Sequence, residues 1–299
     1  MMRLLILTLL SILIISNAYV VPSPSLLTFR GGSQTPPPPL LPPPSLYQKA
    51  ISLGTTKASS PSHKIFKLSI MSGVHIAFGA WLSLTVGGGC GGLGVGNPGL
   101  QKFIAGAIGL PFGLMLVLIT GGELFTGNTF LTSSSYLHGE TTLKELRKSW
   151  VVSYLGNFLG ALLMCVLVFY SKTLGTGGAA INLAVKKTQE GFGTMVVRGA
   201  MCNYLVCLAV YISSGCSSLS SKMVAIFFPI SAFVTLGLDH SIANMFLIPL
   251  GIMFGADVSW GDFIWRNLVP VTIGNVLGGV GGVAWGYGKV FGKREGEGK

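Results

Sequence analysis

From residue 68 onward the hydrophobic positions run together in long stretches instead of alternating with polar ones. Six stretches stand out, at about Ile70 to Gly92, Phe103 to Leu131, Trp150 to Leu174, Phe192 to Ile212, Met223 to Gly255 and Phe263 to Tyr287. A helix needs ~20 residues to cross the hydrocarbon of a bilayer, so runs one, three, four and six each fit a single crossing. Runs two and five are too long for that. Both are interrupted by glycine and polar residues, at Gly121-Gly122-Glu123 and at Gly237 to Asn244. The pattern predicts an all-α integral membrane fold of six transmembrane helices, with helices two and five broken. Irregular backbone at membrane depth is tolerated only where protein buries it or where it lines a cavity, so the paired breaks mark a candidate permeation path.

An internal repeat supports that path. Gly127-Asn128-Thr129-Phe130 is echoed by Ala243-Asn244-Met245-Phe246 at an offset of 116, and Gly156-Asn157-Phe158-Leu159-Gly160-Ala161 by Gly274-Asn275-Val276-Leu277-Gly278-Gly279 at an offset of 118. Three crossings per half is an odd number, so the halves enter the bilayer in opposite senses and form two inverted three-helix repeats.

The first 67 residues follow different rules. Arg3, the apolar run Leu4 to Ile15 and the small residues up to Ala18 have the grammar of a signal peptide over residues 1–18. Residues 19–67 are rich in Ser, Thr and Pro and contain no acid, the first being Glu123, which predicts a disordered, transit-like segment. The combination resembles the two-part presequence of plastid proteins in algae with complex plastids, with Tyr19 where that pattern usually has Phe. It implies a plastid (chloroplast) envelope location. An ordinary secretory signal with a disordered tail, and a plasma membrane location, is the other reading. The expected organisation is completed by a transmembrane domain over residues 68–290 and a basic tail over 291–299.

Composition agrees with a membrane bundle: half the residues are hydrophobic and only 10% charged. The mean hydropathy of +0.67 lies above the range of soluble domains. The 43 glycines suit close helix packing in lipid. Five cysteines without CxxC or Cys/His spacing read as structural, so no metal or other cofactor is expected. The net charge of +11 is spread over tails and loops instead of forming a stripe with aromatics, which argues against nucleic acid. Lys and Arg concentrate before run one, in loops two-three and four-five and at the C-terminus, placing both termini on the cytoplasm-like side. The four histidines are widely separated and no HExxH occurs, so no enzyme is indicated.

One histidine, His240, falls at the second break, where an ionisable group usually faces a cavity or a partner. Around it, Gly122-Glu123-Leu124-Phe125-Thr126-Gly127-Asn128, Cys202-Asn203-Tyr204-Leu205-Val206-Cys207-Leu208-Ala209-Val210, Asp239-His240-Ser241-Ile242-Ala243-Asn244-Met245-Phe246 and Asn267-Leu268-Val269-Pro270-Val271-Thr272-Ile273-Gly274-Asn275 closely resemble the formate/nitrite transporters. The resemblance covers about Met71 to Tyr287 and implies an aquaporin-like protomer, each with its own pore, assembled as a homopentamer. It implies passage of small monovalent anions, nitrite or formate, passively or with protons. Thr126 would then face His240, with Asn203, Val206 and Asn275 lining the pore. Phe233 would stand at one constriction and Leu110 and Leu114 at the other, Leu110 replacing a commoner Phe. Lys187 would raise the local anion concentration at the pore mouth. The residues alone leave alternatives open: the two asparagines can bridge helices, Lys187 can be a surface lysine, and Glu123 and Asp239 can pin loop backbone. An aquaporin-like channel for neutral solutes shares the six spans and inverted repeat, but it expects paired Asn-Pro-Ala motifs, and the single Asn-Pro here is Asn97-Pro98 in a loop.

Overall fold

The computed structural model describes residues 40–292, and the regular structure of that region is helical. The expected signal peptide, the first part of the transit-like segment and most of the basic tail lie outside the described residues. Ten helices organise the described residues: α1 (Pro43–Ser59), α2 (Ser62–Gly89), α3 (Pro98–Ile119), α4 (Phe125–Leu137), α5 (Leu143–Ser171), α6 (Gly178–Thr188), α7 (Phe192–Gly215), α8 (Leu219–Thr235), α9 (Ser241–Met253) and α10 (Trp260–Phe291). A short helix, Gly91–Gly96, links α2 to α3.

Among the described residues, α2, α3, α5, α7 and α10 are each long and apolar enough to cross a membrane. The expected second and fifth spans are both split, into α3 with α4 and α8 with α9. Gly121 (φ 76°) and Gly237 (φ 74°), 116 residues apart, turn the chain through the left-handed region at the two breaks, where a side chain would be strained. Side-chain boxes start three helices: Thr142 with Glu145 at α5, Ser218 with Ser221 at α8, and Ser259 with Asp262 at α10.

The repeat governs packing as well as sequence. In the first half α2 packs on α3 and α5, and α1 on α4; in the second α7 packs on α8 and α10, and α6 on α9. Helices α1 to α5 therefore correspond in order to α6 to α10. Small residues set the approach. A Cβ on Gly160 would collide with the Ile70 carbonyl, and one on its mate Gly278 with the Ala200 carbonyl.

Two expectations need correction. Residues 43–67 are not disordered: they hold α1 and the start of α2, so the helical domain begins well before residue 68. The Ser- and Lys-rich composition of α1 masks an apolar stripe, Leu46, Ala50, Ile51, Gly54 and Ala58, at helical spacing and buried. Tyr47, fully buried, donates its hydroxyl to the Ala284 carbonyl of α10 at 2.6 Å. The second concerns the loop expected between runs three and four, which contains α6, the counterpart of α1.

Because Gly160 and Gly278 make the same contact in the two halves, Gly160→Leu and Gly278→Leu should each destabilise the bundle by about 1–3 kcal/mol. Thermal unfolding of the detergent-solubilised protein checks this, with both melting points expected below wild type.

Candidate functional site at the paired helix breaks

The two breaks are held by the same set of side chains. Asn157 of α5 accepts from the Phe125 N–H (2.9 Å) and donates to the Ser69 (2.8 Å) and Glu123 (2.9 Å) carbonyls. Asn275 of α10 repeats this, accepting from the Ser241 N–H (2.9 Å) and donating to the Gly199 (2.8 Å) and Asp239 (3.1 Å) carbonyls. One amide side chain thereby satisfies backbone groups on both sides of each break, at a depth where water cannot. An acid precedes each re-entrant helix. Glu123 accepts from Asn128 Nδ2 (2.8 Å) and pairs with Lys57 of α1 (2.9 Å). Asp239 accepts from Asn244 Nδ2 (3.0 Å) and pairs with Lys187 of α6 (2.6 Å).

The halves differ where chemistry becomes possible. At the offset of 116, His240 corresponds to Leu124 and Thr126 to Ile242. His240 is the residue before α9, and its Nδ1 accepts from the Ala243 N–H at 3.1 Å, capping the helix. A lone pair is needed there, so the neutral ring carries its proton on Nε2. Nε2 lies 2.9 Å from Thr126 Oγ1 and donates to it. The hydroxyl hydrogen of Thr126 is left without a protein acceptor among the described residues.

A small cavity sits at this pair, lined by Ile76, Leu110, Leu114, Leu124, Val206, Ile230, Phe233 and His240. Seven of the eight are apolar, and Phe233 lies nearly parallel to the His240 ring, centroids 6.0 Å apart. Leu124 also borders a second cavity, which reaches Gly127, Asn128 and Lys57.

Of the residues expected at a pore, His240, Val206, Phe233, Leu110 and Leu114 line this one cavity, with Thr126 hydrogen-bonded to His240. Phe233, Leu110 and Leu114 all border this common space. Asn275 is a fully buried clamp and does not line the cavity. Asn203, also fully buried, directs its amide nitrogen to the Thr126 carbonyl, Thr129 Oγ1 and the Asn275 carbonyl, bridging α7, α4 and α10. Lys187 is tied to Asp239 and is not a free cation at a mouth; the low-dielectric surroundings favour the pair over either isolated charge. Glu123 and Asp239 do brace the breaks, through asparagine and lysine side chains. Leu124, Ile76 and Ile230 were missed. The repeat could have found two of them, since Leu124 is the mate of His240 and Ile230 of Leu114.

Comparison with known proteins gives a consistent picture. The family model described as formate/nitrite transporter matches residues 44–288, beginning in α1. A probable formate transporter from Methanothermobacter thermautotrophicus is 38% identical over 241 residues, covering 75% of this chain and 87% of the relative. The formate channel FocA of Escherichia coli strain K12 is 35% identical over 251 residues, covering 76% and 86%. Among solved structures, an FNT family ion channel superposes with a TM-score of 0.75 at 25% identity, covering 82% of this chain and 98% of that one. A pentameric formate channel with formate bound gives a TM-score of 0.68 at 32% identity, covering 78% and 98%.

The cap on α9 makes a spectroscopic prediction. In protein carrying 15N-labelled histidine, the His240 signal, identified by its loss in His240→Gln, should be that of a neutral ring protonated on Nε2. A ring protonated on Nδ1 would contradict the Ala243 bond.

Proposed function

The chain belongs to the formate/nitrite transporter family, and we propose that it carries small monovalent anions, formate and nitrite being the candidates, across a membrane through the cavity at His240. The observation that carries this reading is the placement of a single polar side chain, His240, in an apolar cavity, with Thr126 beside it. Nε2–H donates to Thr126 Oγ1 and so leaves the Thr126 hydroxyl hydrogen free to donate to an oxyanion. Donors without a fixed positive charge suit a passing ligand, which must bind enough to enter and weakly enough to leave.

The same geometry bears on protons. Nδ1 is occupied by the Ala243 N–H, so a proton reaching the ring has to displace the helix cap. Giving up the Nε2 proton from the neutral ring would leave an imidazolate. His240 therefore acts as a hydrogen-bond donor, and we propose that a co-transported proton enters with the anion, as the neutral weak acid. The neutral form crosses the leucine and phenylalanine lining without the desolvation penalty of a charge.

Assembly as a homopentamer is part of the proposal, supported by the pentameric formate channel that this chain resembles. Exposed apolar side chains on α2, α5 and α10, including Phe78, Leu155, Leu167, Trp265 and Leu277, suit contact with lipid or neighbouring subunits. A plastid envelope location, with nitrite as cargo, rests on the signal-like residues 1–18 and the acid-free stretch after them. Any such presequence must end before α1.

The test is formate and nitrite flux into proteoliposomes at several pH values. Wild-type flux should rise as the pH falls, because the fraction of neutral acid rises. His240→Phe should abolish or alter that dependence, and Thr126→Val should lower flux by about tenfold, as loss of one hydrogen bond to a charged ligand implies. Passage of water or glycerol with no movement of either anion would replace this reading with a neutral-solute channel.

A further inference from the structure

Helices α5 and α10 are mates, yet they are not the same length where it matters. Each starts with the same box, Thr142 answered by Glu145 and Ser259 by Asp262. Asn157 follows Thr142 by 15 residues, whereas Asn275 follows Ser259 by 16. Ser149 and Asn267, which both accept from the asparagine one turn into the re-entrant helix, stand 7 and 8 residues after their caps. The extra residue of α10 therefore lies between Asp262 and Asn267. A π-helical turn, Phe263–Leu268, occupies that interval, while α5 is an uninterrupted α-helix.

A π turn absorbs one residue without rotating the helix beyond it. In a plain α-helix an added residue would swing everything after it by about 100°. With the π turn, Phe263 stays fully buried on one side of the insertion while Asn267 and Asn275 still face the second break. Asn267 makes more of its place than Ser149 does. Its Oδ1 accepts from Asn244 Nδ2 at 2.8 Å, and its Nδ2 donates to the Lys187 carbonyl at 2.7 Å. Ser149 lies 3.4 Å from Asn128 Nδ2 and has no bond to α1 among the described residues. Asn267 thus ties α9, whose first turn His240 caps, to α6, whose Lys187 pairs with Asp239 beside that histidine.

We propose that Asn267 is a positioning residue for His240, kept in register across the extra residue of α10 by the π turn. It holds α6 against α9 so that Lys187 and Asp239 stay paired and the ring stays aimed at Thr126. Asp239 precedes the ring in the chain, Lys187 pairs with Asp239, and Cys207 of α7 lies 3.5 Å from the carbonyl of Thr126, the partner of the ring. The inference rests on the anion-transport reading and adds a brace present in only one half.

The test compares four proteins in proteoliposomes: wild type, Asn267→Ala, Asn267→Ser and Ser149→Ala. Asn267→Ala should lower formate or nitrite flux by about tenfold, as loss of buried hydrogen bonds implies, and should move the pH of half-maximal flux. Asn267→Ser, which restores the acceptor found in the other half, should recover part of both. Ser149→Ala should leave the pH profile at wild type. A wild-type profile for Asn267→Ala, or a loss that is uniform at every pH, would overturn the positioning role. Deleting Trp265, which is 69% exposed and so removes no core side chain, returns α10 to the spacing of α5, where Ser149 faces its break without a π turn, and should keep the wild-type pH profile. An Asn267→Ala profile in that deletion would overturn the role of the π turn as the absorber of the extra residue, and if it fails to fold the Asn267 pair still decides. Absence of anion flux in wild type is the distinct failure, of the transport reading itself.

Discussion

A backbone that stops being helical inside a hydrocarbon layer must have its amides and carbonyls answered by protein, because nothing else is there to answer them. The molecule meets this constraint twice in the same way. Asn157 and Asn275 each satisfy one N–H and two carbonyls, tying a break to the helices on either side. An acid, an asparagine and a lysine from a short flanking helix then fix the start of each re-entrant segment. The side chains that line the cavity at His240 are carried by elements that this framework holds in place.

The polar side chain of the cavity stands where the two halves stop matching. The same geometry presents Leu124 on one side and His240 on the other, so one break supplies a wall and the other a donor. Helix capping decides the chemistry of that donor. By accepting the Ala243 N–H, Nδ1 leaves the ring proton on Nε2, aimed at Thr126 from the opposite half. A backbone requirement of α9 and a polar contact across the inverted repeat are thus met by one side chain.

Burial of charge follows the same economy. Lys57 and Lys187 come from the amphipathic helices α1 and α6, and each neutralises the acid next to a break. Removing either lysine would strand a buried carboxylate, at a cost of about 3–5 kcal/mol, which explains why the pairs persist at membrane depth. The difference in cap spacing between α5 and α10 shows that the halves have diverged in length by one residue without losing register.

The sequence by itself determined the membrane class, the broken helices, the repeat and the position of His240, because long apolar runs, glycine interruptions and offsets of 116 and 118 are properties of a line. It misread α1 as disordered, since a Ser- and Lys-rich surface outweighs a five-residue apolar stripe in composition. Only the tertiary structure decided that Asn203 and Asn275 bridge helices, that Lys187 meets Asp239, which is 52 residues away, and that His240 donates through Nε2. Hydrophobic patterning tells which residues leave the polar surroundings, but it does not tell which buried polar group will answer which. That pairing is set by partners distant in the chain and brought within 3 Å by packing, and it is the pairing that gives each polar residue its role.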